Sequence, residues 1–134
     1  MRFAVDRLDH LVMTCNDVET MASWYQRVLG MERENFGPHN RTSIRFGGQK
    51  INLRPRDATQ EDWFTGRGAA PGGNDLCFIV TVMADDVVAH LKECGVAVEA
   101  GPLAKAGALG PIISVYCRDP DGNLIEISSY GDKR

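Results

Sequence analysis

Cys117-Arg118-Asp119-Pro120-Asp121-Gly122-Asn123-Leu124-Ile125-Glu126-Ile127-Ser128 is the stretch from which the fold can be read. Within it, Pro120 presets φ, Asp and Asn side chains bond the local backbone, and Gly122 accepts a positive φ, so residues 119–123 form a turn. Runs rich in β-formers flank that turn at residues 112–117 and 124–128, which predicts strand, turn, strand. Glu126 stands between Ile125 and Ile127, and an ionised carboxylate in a strand requires water, a cation or hydrogen-bond donors.

Working outward, residues 8–15 read as a strand. Asn16 offers a helix N-cap with Glu19 three residues on, and Val18, Met21, Ala22, Tyr25 and Leu29 recur at helical spacing until Gly30 ends the helix. Strands are then expected over 31–36, 42–46 and 50–53, separated by Gly-rich turns. The first half is therefore βαβββ. From Arg56 to Asn74 the chain is polar and Gly-rich, interrupted by Trp63 and Phe64, so part of this linker is expected to pack down. The order then repeats, with a strand over 75–81, a helix over 85–94 ended by Gly95, a strand over 96–99 and the closing hairpin. Residues 101–111 read as a long loop bordering a cleft as a flap.

Register tests the repeat. His10 aligns with Asp75 at 75 − 10 = 65 and Gly30 with Gly95 at 95 − 30 = 65, whereas Gly48 aligns with Gly122, and Asn52 with Glu126, at 122 − 48 = 74. By the same reasoning Tyr116 is set against Arg45 at 116 − 45 = 71. The expectation is an α+β fold of two tandem βαβββ modules, in a curled, mostly antiparallel sheet around a cleft. Module one spans 6–55, the linker 56–73 and module two 74–130.

At 134 residues the chain amounts to one domain. Fifteen Lys and Arg against eighteen Asp and Glu give 15 − 18 = −3, which leaves no excess of positive charge for nucleic acid. No run approaches the roughly 20 apolar residues of a membrane span, so a soluble, cytoplasmic protein is expected. Cys15, Cys77, Cys94 and Cys117 are widely spaced and contain no Cys-x-x-Cys pair, which reads as buried thiols in a reducing compartment.

If the two modules curl around one cleft, His10, Asp75 and Glu126 bring one imidazole and two carboxylates, a donor set that suits a divalent ion. Period two places Lys50, Asn52 and Arg54 on one strand face, with Arg45 beside them and Tyr116 lining the same cleft, a surface for an anionic small molecule.

These residues resemble the vicinal oxygen chelate superfamily of glyoxalases, bleomycin-resistance proteins, fosfomycin-modifying enzymes and extradiol dioxygenases. The likeness lies in Asp9-His10-Leu11-Val12, in Tyr25-Gln26-Arg27-Val28-Leu29-Gly30-Met31 and in Asp119-Pro120-Asp121-Gly122-Asn123-Leu124-Ile125-Glu126. Arg45 to Leu53 and Asp75 to Phe78 are similar to its glyoxalase domain-containing protein 5 branch. The resemblance implies His10 and Glu126 as metal ligands. It places Asp75 where most metal-using members have histidine, and Asn52 where glyoxalase I enzymes have a glutamate. Asn52 cannot act as a base, which leaves Glu126 for that role.

The expected activity is that of a lyase or isomerase using Mn, Ni, Fe, Mg or Zn on a small molecule with adjacent oxygens, in a homodimer. The alternative is a metal-free binding protein of the bleomycin-resistance type. Ring-cleaving oxygenation and thiol transfer both call for a second histidine and rank lower.

Overall fold

The computed structural model describes residues 1–134, which divide into two compact units, Met1–Ala70 and Pro71–Arg134. The fold is α+β, with one βαβββ-like module and one mixed four-stranded sheet in each unit.

In the first unit, β1 (His10–Cys15) is followed by α1 (Val18–Leu29), β2 (Glu32–Phe36), β3 (Arg41–Phe46) and β4 (Gln49–Pro55), in sheet order β1-β4-β3-β2. The helix starts one residue later than the sequence suggested. Asp17, not Asn16, is the N-cap, its Oδ1 accepting from the Glu19 and Thr20 amides at 3.0 and 3.3 Å. Asn16 instead accepts a 2.6 Å bond from Arg56 Nη1. At the other end Gly30 takes φ +66, and its amide donates to Gln26 O while that of Met31 reaches Tyr25 O, closing the helix. Met21, Ala22, Tyr25 and Val28 are buried along α1, which packs on β3 and β4, where Ile44, Ile51 and Leu53 are buried. Each such side chain removed from water contributes about 1.5–3 kcal/mol before entropy is counted.

In the second unit, β5 (Asp75–Ile79), α2 (Ala84–Glu93), β6 (Ala100–Gly107), β7 (Gly110–Arg118) and β8 (Leu124–Ser129) form a sheet in the order β5-β8-β7-β6. Ile113, Val115, Ile125 and Ile127 are buried in β7 and β8, the strands against which α2 packs, and Val87 and Leu91 are buried on that helix. Met83, at the N-cap of α2, makes no side-chain cap bond, and Asp132 Oδ2 accepts from the Ala84 amide instead.

Two expectations fail here. Residues 96–99 are not the sixth strand, and 101–111 is not a loop or flap, because β6 and β7 run antiparallel through that stretch. β6 lies at the sheet edge, where Pro102 costs no interior ladder bond, and its register shifts between Ala100 and Leu103. Its backbone is tightly packed. Gly101 has φ +101, and a Cβ there would lie 2.4 Å from the Ser114 carbonyl oxygen.

The turn over residues 119–123 is observed. Asp119 Oδ1 accepts from the amides of Asp121 and Asn123, and Asn123 Nδ2 donates to Asp119 Oδ2 at 2.7 Å. Asn123 Oδ1 in turn accepts from the Asn74 amide at 2.9 Å, tying the turn to the start of β5.

Candidate functional site

The ladders show where the repeat places each candidate. β1 pairs in parallel with β4, setting Val12 opposite Asn52, and β5 pairs in parallel with β8, setting Cys77 opposite Glu126. The offsets 77 − 12 = 65 and 126 − 52 = 74 match those read from the sequence. One alignment changes. Asn52 pairs with Ser43 in β3 and Glu126 with Tyr116 in β7, so the counterpart of Tyr116 is Ser43, at 116 − 43 = 73, rather than Arg45.

In the second unit Glu126 is half-buried at the centre of a polar network. Ser114 Oγ donates to its Oε2 at 2.6 Å, and the Ser114 and Ser128 hydroxyls lie 2.7 Å apart. Cys77 Sγ is 3.3 Å from Ser128 Oγ. Ser114 and Ser128 are buried, at 0% and 1% exposure. No Lys or Arg forms an ion pair with Glu126. Burial first, then the hydrogen bond to Glu126 and its charge, push the Tyr116 phenol up to about 12, so Tyr116 is a proton donor at neutral pH. Asp75, at the start of β5, is exposed, and its charge raises both Tyr116 and Cys77. Burial is the largest cause of the upward shift at Cys77, which makes it a weakly acidic thiol.

The first unit carries His10 and Asn52. His10 is exposed, its Nδ1 2.9 Å from Asp9 Oδ2, a contact that holds Asp9 below the usual carboxylate range. Asn52 is buried and its Oδ1 has no hydrogen-bond partner. The cations expected to form an anion-binding face are engaged internally. Arg45 donates to Glu34 at 2.6 Å, Lys50 Nζ lies 3.5 Å from the centre of the Phe36 ring, and Arg54 is buried at 3% exposure. Arg54 donates from Nε to Trp63 O at 3.0 Å and from Nη2 to Ala58 O at 2.8 Å, pinning the 58–63 segment as Trp63 led one to expect.

Sequence reasoning missed Ser114 and Ser128, which it read only as members of β-rich runs, and it took Cys77 for a buried thiol whereas the residue is exposed. Their alternation with buried Ile113, Val115 and Ile127 is the signal that sets both hydroxyls on the face of Glu126.

As metal donors, a histidine tied through Nδ1 to a carboxylate and a glutamate held by a buried hydroxyl have the outer partners that ligands commonly show. In type these donors fit a divalent ion. In number they fall short, since no three His, Cys, Asp or Glu side chains are grouped so as to hold one.

The family model described as the Glyoxalase/Bleomycin resistance protein/Dioxygenase superfamily matches residues 7–127. Virulence protein STM3117 of Salmonella typhimurium is 42% identical over 130 residues, covering 97% of this chain and 88% of that protein. Glyoxalase domain-containing protein RDO1 of Mycosarcoma maydis is 44% identical over 133 residues, covering 99% of this chain and 73% of that protein. Among solved structures, integron cassette protein VCH_CASS1, from the mobile metagenome of V. cholerae, shares 40% identity and a TM-score of 0.92, with coverage of 98% of this chain and 100% of the other. By its strand ladders, its repeat and these matches, the chain belongs to the glyoxalase/bleomycin resistance protein/dioxygenase superfamily.

Proposed function

We propose that the chain is a lyase or isomerase acting on a small molecule with adjacent oxygens, with Glu126 as the group that accepts and returns a proton. The observation that carries this reading is the half-buried Glu126 carboxylate, held by Ser114, next to the neutral Tyr116 phenol and with no cationic partner. A carboxylate positioned by a buried hydroxyl can take a proton from a bound carbon acid. A protonated phenol beside it can hydrogen-bond the oxyanion that develops. Tyr116 is the proposed substrate contact beside Glu126, and in the first unit Arg54 positions the 58–63 segment.

The superfamily resemblance implies His10 and Glu126 as ligands of a divalent ion, of Mn, Ni, Fe, Mg or Zn, with Asp75 in the place where most metal-using members have histidine. Such an ion would supply Lewis-acid chemistry. Resemblance to the glyoxalase domain-containing protein 5 branch accords with this reading and adds no substrate.

The unpartnered Asn52 Oδ1 favours a second reading, a metal-free protein that sequesters a small molecule, since a buried orphan acceptor is suited to a ligand donor. Screening vicinal diones and hydroxyketones by calorimetry, with and without EDTA, and following exchange of the carbon-bound proton by NMR, separates the two. Exchange that disappears in Glu126→Gln is expected. Binding that ignores EDTA, with no exchange in any sample, would establish sequestration instead.

A further inference from the structure

The segment 56–64 folds back on the first unit and borders an open cleft of about 630 Å³ lined by Val18, Arg41, Thr42, Leu53, Ala58 and Trp63, among others. This wall is built, not draped: the buried Arg54 guanidinium clamps the carbonyls of Ala58 and Trp63, and the Trp63 amide donates to Thr59 O at 2.9 Å. Thr42 and Leu53, at 8% and 1% exposure, form its floor.

Arg41 supplies the specificity. Its guanidinium carbon lies 4.0 Å from the centre of the Trp63 ring, and Nη2 donates to Asp62 O at 3.0 Å. It forms no ion pair. A half-buried guanidinium without a carboxylate, held over an indole, presents the planar fork that a carboxylate fits. The acids at this cleft, Glu61 and Asp62, are exposed, where water and salt screen them. Val18, Pro55 and Ala58 supply apolar surface for the body of a ligand.

We infer that this cleft is a second small-molecule site, taking a monocarboxylate with an apolar or aromatic body, its carboxylate on Arg41 and its body against Trp63 and Val18. The inference does not depend on Glu126, which lies in the other unit.

Titrating the ¹⁵N-labelled full chain with phenylacetate tests it, read at the Trp63 indole N–H, with phenethylamine as the charge-reversed isostere. Phenylacetate should give a saturable shift and phenethylamine none. Arg41→Met should weaken binding by about tenfold or more, Ala58→Trp should abolish it by filling the cleft, and Glu126→Gln should leave it unchanged. No saturable shift, an equal response to phenethylamine, or wild-type affinity in Arg41→Met and Ala58→Trp would overturn the assignment. So would loss of binding in Glu126→Gln, which would place phenylacetate on the second unit's polar face.

Discussion

Ser114 Oγ donates a 2.6 Å hydrogen bond to Glu126 Oε2 from the neighbouring strand, at a position where Ser114 itself has no exposed surface. Water therefore cannot replace the donor. Ser114→Ala would take the shortest hydrogen bond from both the carboxylate and the Ser128 hydroxyl, and a loss of about 1–3 kcal/mol in urea unfolding is expected. A variant as stable as the parent would show that the serine does not hold Glu126.

Tyr116 offers a titration test. Its phenol is pushed up to about 12 from an ordinary 10. Because the folded value is the higher one, the native state holds its proton more tightly. Stability from this group is complete below pH 10 and is lost as pH rises through 12. Ultraviolet titration of tyrosinate should show one late-ionising tyrosine that disappears in Tyr116→Phe. In Glu126→Gln it should move down only part of the way, since burial is the larger cause. Ordinary ionisation in the parent protein would contradict the network.

The 119–123 turn should carry a large share of local stability. Asn123 is fully buried and bonded to both Asp119 and Asn74. Asn123→Ala should cost about 2–3 kcal/mol, since several buried polar groups lose their partners together. A thermal midpoint equal to that of the parent would show that the turn forms without these bonds.

Asn52 should behave in the opposite way. Its buried Oδ1 has no partner, so Asn52→Leu removes an uncompensated acceptor at similar volume. Stability should be unchanged or higher by up to about 1 kcal/mol, the pattern expected where function and stability compete. A clear destabilisation in urea would mean that the amide is structural.

Local chemistry explains how much was legible from the chain alone. The turn was readable because Pro120, Gly122 and the Asx side chains dictate it, and the repeat because Val12 with Asn52 and Cys77 with Glu126 occupy matching ladder positions. The strand β6 was not, since Ala100-Gly101-Pro102-Leu103-Ala104-Lys105-Ala106-Gly107 contains almost no β-formers and is held as a strand by its pairing with β7. The N-cap was misplaced by one residue because Asn16 and Asp17 are both good caps, and Arg56 takes up Asn16. Of the site, Glu126 was visible as an exception in a β-rich run, and Tyr116 through the repeat, although its counterpart is Ser43 and not Arg45. Arg54 was expected on an anion-binding strand face, and only the folded 58–63 segment supplies the carbonyls that bury it.

Isothermal titration of the purified chain with Mn²⁺, Ni²⁺ and Zn²⁺, beside His10→Ala and Glu126→Ala, tests the donor assignment most directly. Stoichiometric binding of at least one ion by the parent, lost in both variants whose circular dichroism is unchanged, is the expected result. No binding by the parent, or binding that survives both substitutions, would contradict the assignment of His10 and Glu126 as metal-holding residues.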